Sequence, residues 1–188
     1  MIKLKDILEY DDSIVELFLE SPLKYKRWDL NILDTPSKNY LFTIGVKETG
    51  KFIGEFDKYS IFRYNAGAFT IDCFVTGTNV VAFFQYKTIN NTCDIHRAWQ
   101  DPITIGLSRK IILEYYLKEY GTILTDNVHS ELGEKSIKKL LRSAKELGHR
   151  IFVLKDDKEK SYVDDLDLVD YYYSDSSDGL RYKFGIEK

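Results

Sequence analysis

The sequence predicts a mixed α+β (α/β) fold. Its expected form is a central, mostly antiparallel twisted sheet of about seven strands, with N-terminal helices and two crossover helices. Three observations carry this. Residues 40–100 fall into apolar, β-branched and aromatic runs separated by turn residues. Residues 91–154 then read strand, helix, strand, helix, strand, the order of a βαβ crossover with parallel pairing. Residues 3–29 carry helix-start signals ahead of apolar stripes.

Taken in order, Asp11-Asp12-Ser13 places acids and a cap before Ile14, Val15, Leu17, Phe18 and Leu19. Ser21-Pro22 restarts a second helix, with Pro at the first helical position. A loop is expected over 29–39. From Tyr40, YLFTIGVKE and KFIGEFDKYSIF flank Thr49-Gly50, read as a hairpin turn. AGAFTIDCFVT and NVVAFFQYKTI are separated by Gly77-Thr78, and Asn90-Asn91 turns the chain into the strand ending at Gln100.

Asp101-Pro102 breaks that strand, and a helix is expected from about Thr104 to Tyr120. Thr122–Thr125 is a short apolar strand. A turn and helix occupy 126–148, His149–Leu154 is a strand, and Leu180–Ile186 is a closing strand able to pair with it. No repeat or low-complexity linker interrupts the chain, so residues 1–188 are expected to form a single domain, with an acidic loop at 156–178 before the terminal strand.

Composition narrows the function classes. No apolar run approaches the roughly 18–20 residues of a membrane helix, and MIKLKDILEYDD lacks the apolar stretch of a secretory signal. Cys73 and Cys93 are too few for a disulfide framework or a metal cluster, which points to a cytoplasmic protein with buried thiols. The net charge of −3 is uneven: 156–178 holds nine acids against two lysines, leaving +4 elsewhere. That suits a small anionic ligand and argues against tight nucleic-acid binding. His96, His129 and His149 lack metal-ligand spacing, and there is no GxSxG, P-loop or complete dinucleotide fingerprint.

Two places carry candidate chemistry. A helix start exposes unpaired N–H groups and a partial positive charge, so it attracts phosphate. Gly106 would let the backbone approach closely, and Ser108, Arg109 and Lys110 add a hydroxyl and two cations. On the strand before it, Asp94 and His96 are two apart and share a face opposite Cys93, Ile95 and Arg97. The bland alternatives are a packing glycine and a solvent-facing Asp–His pair. Asp126 follows a parallel strand at its carboxyl end, where ligands gather. Ser130 is placed to cap the next helix, and His129 is titratable near neutral pH in that turn. Capping, turn-making and an exposed loop histidine are the alternatives there.

The order of elements resembles the GNAT (Gcn5-related N-acetyltransferase) superfamily across most of the chain. At residue level the similarity is confined to 99–154, where TILTDNVHSELGEKSIKKLL resembles a turn of small phage-type acetyltransferase-like proteins. The resemblance implies acetyl-CoA docked where two strands splay, its pyrophosphate cradled by Ile103, Thr104, Ile105, Gly106, Leu107, Ser108, Arg109 and Lys110. With Gly106 as the last member of that motif, Asp101 and Thr104 stand where it has Gln/Arg and Gly; with Gly106 as its first Gly, Ile103 stands at the start and Ser108 at the last place. Ala144 stands where many members carry an acid Tyr four residues before Gly148. Tyr171, Tyr172, Tyr173 or Tyr182 would then supply the acid, Tyr172 being taken here, and Asp72, Asp94 or His96 the base, with His129 a further catalytic candidate. The implied activity is transfer of an acyl group to an amine on a protein lysine, small amine or modified base. The alternative is a catalytically silent member that binds and blocks a host protein.

Overall fold

A computed structural model describes residues 36–125, 131–156, 158–164 and 182–188. The expected N-terminal helices, the turn with Asp126, His129 and Ser130, the tyrosines 171–173 and most of the acidic segment lie outside the described residues.

The first described element is a helix, α1 (Pro36–Thr49). This corrects the reading of YLFTIGVKE as a strand and of 36–39 as loop. Pro36 opens the helix, where its missing N–H is no loss, and Gly50 closes it, its N–H donating to the Val46 carbonyl at 3.0 Å. Thr49-Gly50 is therefore a helix-to-strand junction. The true hairpin lies inside the run read as one strand. β1 (Lys51–Phe56) and β2 (Tyr59–Ala66) pair antiparallel across Asp57-Lys58, with Asp57 at φ 54°. Asp is among the few non-glycine residues that take this conformation readily.

The remaining early turns fall where their residues predict. β3 (Phe69–Thr76) and β4 (Asn79–Ile89) flank Gly77, at φ 54°. β5 (Thr92–Gln100) follows Asn90 and Asn91, at φ 49° and 61°. Two adjacent left-handed residues make the turn whose twist matches that of paired strands.

The helix expected from Thr104 begins at Leu107. α2 (Leu107–Lys110), a π-helical stretch (Ile111–Tyr116) and α3 (Leu117–Tyr120) follow without a break, since Lys110, Tyr116 and Leu117 all keep right-handed helical dihedrals. Gly121, at φ 76°, ends the run. β6 (Thr122–Thr125), α4 (Glu131–Glu146), β7 (Arg150–Lys155), β8 (Glu159–Tyr162) and β9 (Tyr182–Glu187) complete the described elements. Nine strands are thus described where about seven are expected. YLFTIGVKE leaves the sheet for the helix, while the split of 51–66 into two and the short β8 add strands. α4 ends in a Schellman cap: His149 N–H donates to Ala144 O at 3.0 Å and Gly148 N–H to Lys145 O at 2.9 Å, with Gly148 at φ 82°. Gly148 is a stop signal, and Ala144 is fully buried.

The described chain divides into two compact units, one of residues 36–85 and Ala98–Leu107, the other of Tyr86–Arg97 with the residues from Ser108 onward. In the first unit β1, β2, β3 and β4 are neighbours in that order, and β2 and β3 pair antiparallel from Ser60↔Val75 to Ala66↔Phe69. Its core joins Val46, Tyr64, Ile71, Cys73, Val75, Val80 and Phe83, with Phe62 and Trp99 packed against it. Burying each such large side chain stabilises by about 1.5–3 kcal/mol.

In the second unit the strand order is β5-β6-β9-β7-β8. β5 and β6 are parallel, and β9 runs antiparallel to both β6 and β7. Register builds one buried row from Cys93, Ile123, Ile186 and Ile151. The next row, on the opposite face, is Asp94, Leu124, Gly185 and Phe152. α4 packs on β7, with Leu140, Leu141 and Ala144 buried.

Candidate functional site

The parallel pair β5/β6 is the feature that places chemistry. Pairing runs from Thr92↔Thr122 to Ile95↔Thr125. β6 ends at Thr125 while β5 continues to Gln100. His96 therefore stands one residue past the carboxyl end of the pair, and Asp94 two residues before it on the same face. Carboxyl ends of parallel strands, next to crossover helices, are where ligands gather in such sheets.

Asp94 and His96 are brought together as their spacing requires, and a third residue joins them. Lys183 Nζ on β9 lies 2.9 Å from Asp94 Oδ2, and His96 Nε2 lies 3.5 Å from the same oxygen. The side chains are 11% (Asp94), 14% (Lys183) and 25% (His96) exposed. Asp94 Oδ1 is buried and has no hydrogen-bond partner among the described residues. A carboxylate taken out of water in this way is tolerated because an ammonium compensates it. Lys183 has no signal in the sequence that ties it to Asp94. It reaches there because β9 inserts between β6 and β7, and no spacing rule reports that.

The Ile103–Lys110 segment has a more definite local structure than its sequence suggests. The Asp101 carboxylate accepts the Ile103 N–H at 2.9 Å, and the Asp101 carbonyl accepts both the Thr104 N–H and the Thr104 hydroxyl at 2.8 Å. Leu107 N–H donates to Thr104 O at 3.0 Å. Three of the amides proposed as a phosphate cradle thus already hold the turn together. Gly106 takes φ 82°, which only glycine adopts without strain. Ile103 and Ile105 stand out of this turn 87% and 92% exposed, whereas Leu107 is buried. Ser108, Arg109 and Lys110 form the first turn of the helical run, with Lys110 4.0 Å from Glu114.

Other candidates resolve plainly. Asp72 is fully buried and grips Arg63 through two bonds of 2.8 and 2.9 Å, so it is a structural anion. Tyr182 is buried in β9. Cys73 and Cys93 are both buried thiols, neither of them in a disulfide. Burial pushes the Cys73 thiol well above its ordinary range, which makes it an inert packing group. Among the described residues no His, Cys, Asp and Glu group could hold a metal ion, and no helix is long and apolar enough to cross a membrane.

The π-helical stretch is a feature sequence reading missed. It is marked by Leu117 N–H donating to Ile112 O, five residues back. It accompanies a tyrosine cluster in which Tyr86 packs edge-on to Tyr116 at 5.2 Å and its hydroxyl meets that of Tyr120 at 3.2 Å.

No protein-family model matches this sequence, and no curated protein sequence matches it. Among solved structures the chain is similar to the diaminobutyrate acetyltransferase EctA from Paenibacillus lautus, solved with L-2,4-diaminobutyric acid and coenzyme A. Identity is 11%, covering 62% of this chain and 69% of that one, with a TM-score of 0.38. It is also similar to a probable acetyltransferase from Staphylococcus epidermidis ATCC 12228, at 15% identity over 98% of this chain and 93% of that one, with a TM-score of 0.35. Scores this low leave the chain's own geometry to carry any assignment.

Proposed function

We propose that this chain is an acyltransferase-like protein that moves an acyl group from acetyl-CoA to an amine. The observation that carries the reading is the parallel β5/β6 pair bearing Asp94 and His96 at its carboxyl end. Acyl transfer to an amine needs a base, because an ammonium cannot attack a carbonyl until it loses a proton. His96 is that base in this reading, with Asp94 beside it. Gly106, Ser108, Arg109 and Lys110 would hold the diphosphate, through a close backbone approach, a hydroxyl and two cations. Acetyl-CoA would supply the activated thioester. His129 and Tyr172 remain the candidates for a second base and for the acid.

A silent, partner-blocking protein is the second reading, and one observation favours it. The Asp101 carboxylate occupies the Ile103 amide and brings negative charge to the segment meant for phosphate. The partner would be a host protein, as in phage-type interaction proteins. A cytoplasmic setting suits both readings.

A thermal-shift titration with acetyl-CoA separates the two. A ligand at about 100 times its dissociation constant adds roughly 2.7 kcal/mol to stability, a shift of several degrees. That shift, lost in Gly106→Val, supports the first reading. No shift and no calorimetric heat at millimolar cofactor overturns it.

A further inference from the structure

We propose that Lys183 is a positioning residue that acts through Asp94 to keep the His96 imidazole in its neutral, proton-accepting form. All three groups meet at one oxygen. Lys183 Nζ holds Asp94 Oδ2 at hydrogen-bond distance, 2.9 Å, while His96 Nε2 stands off at 3.5 Å. A carboxylate this close to an imidazole normally stabilises the imidazolium. A carboxylate already paired with an ammonium does so far less, since the pair presents a dipole and not a net charge. Lys183 and Asp94 are both more than four-fifths buried at the side chain, so solvent screens little of this and the ammonium does the compensating.

Asp94 Oδ1 adds a second reason. It is buried and makes no hydrogen bond among the described residues, so nothing at that oxygen turns the carboxylate. The Lys183 contact at Oδ2 sets its direction. Without Lys183, Asp94 would carry an uncompensated buried charge, and the His96 imidazole 3.5 Å away could neutralise it by taking up a proton. The ring would then hold a proton and could not accept one from an incoming ammonium.

The base role of His96 rests on the acyl-transfer reading, but the competition between ammonium and imidazolium at Asp94 does not. The test therefore uses the ligand-free full chain. Diethyl pyrocarbonate reacts with neutral imidazole and not with imidazolium. Its rate at His96 is read by peptide mass spectrometry, with His149 in the same molecule as reference. At about pH 6.5, near the ordinary imidazole midpoint, Lys183→Met should slow modification of His96 relative to His149 by about threefold or more. Lys183→Arg should restore the rate, and Asp94→Asn with Lys183→Met should return it close to the starting value. A merely structural role predicts the reverse, because loosening β9 exposes the ring and speeds the reaction. An unchanged or faster rate in Lys183→Met overturns the proposal. Should that variant not fold, Lys183→Gln, which keeps a donor at Oδ2 without its charge, must show the same slowing, or the proposal fails. Absence of an acetyl-CoA thermal shift would remove the base role yet leave this result standing.

Discussion

The ring of Phe152 on β7 lies directly over the backbone of Gly185 on β9, in the space a side chain at 185 would need. Phe152 is itself buried and meets Tyr162 edge-on at 6.3 Å, so it cannot swing away cheaply. Gly185→Ala should therefore cost about 1–3 kcal/mol, the range for overpacking a filled core, read from the midpoint of urea unfolding. Adding Phe152→Leu should make the double variant more stable than the two single costs added together predict. Additivity would mean the two positions do not meet.

Tyr64 and Gly50 are related in the same way in the other unit. A Cβ on Gly50 would lie 2.6 Å from the ring carbon that bears the Tyr64 hydroxyl. That hydroxyl donates to Val46 O, which also accepts the Gly50 N–H. Tyr64→Phe leaves the carbonyl one partner, so the loss should be about 1 kcal/mol. Burial, and then nearby Cys73, push the Tyr64 phenol well above its ordinary range. In a spectroscopic titration of the tyrosines, Tyr64→Phe should leave the phenolate signal developing up to pH 11 unchanged.

Arg63 and Asp72 face each other across β2 and β3. Asp72 is wholly enclosed, so Arg63→Leu takes two charge-assisted bonds from a buried carboxylate and should cost about 3–5 kcal/mol in denaturant unfolding. Arg63→Leu with Asp72→Leu removes both charges and should recover most of that loss. If the double variant is no better than the single one, the pair is not what the fold depends on.

None of these three pairs was legible in the sequence, whereas several turns were. Asn90-Asn91, Gly77 and Gly148 announced their turns because left-handed backbone selects few residue types, and each has the expected positive φ. The β5-to-β6 crossover and the pairing of β9 with β7 followed from strand and helix periodicity. YLFTIGVKE misled because its β-branched and aromatic residues suit a strand, while Pro36 and Gly50 bracket a helix. Asp57-Lys58 is a weak turn signal and hid a hairpin. The Asp94–His96 pair was visible because two-residue spacing is local. Its third member was not, since Lys183 is 89 positions from Asp94 and only strand order brings it near.

Glu187 ties β8 to β9 and gives the fold an acid-sensitive clamp. Its carboxylate accepts Lys160 and, at 2.9 Å, the Tyr162 hydroxyl, with Arg150 at 3.2 Å. Burial alone would raise its pKa, but the hydrogen bonds from Lys160 and Tyr162 and the charges of Lys160 and Arg150 together hold it below the usual carboxylate value. A depressed carboxylate stabilises the fold above its unfolded pKa, near 4.3, and that contribution disappears as pH falls through the folded value. Glu187→Gln should flatten this acid limb: its stability should fall less than the parent's below about pH 4.5. The difference should shrink in molar salt, because these side chains reach solvent. Equal acid slopes in the two proteins would rule the clamp out.

Asp101 offers the sharpest test of whether the helix start at Leu107 is built for an anion. Its carboxylate caps the Ile103 amide and adds a negative charge within the turn. Asp101→Asn keeps an acceptor for that amide while removing the charge, so the turn should survive with little change in unfolding midpoint. If the segment takes the diphosphate of acetyl-CoA, removing one repelling charge should tighten binding by about threefold to tenfold, equivalent to roughly 0.7–1.4 kcal/mol. The gain should be larger at low salt, since an exposed charge acts through a screened field. Calorimetry of the parent and the variant at two salt concentrations checks both points. Unchanged affinity at both would mean that the amides of this turn serve only the turn.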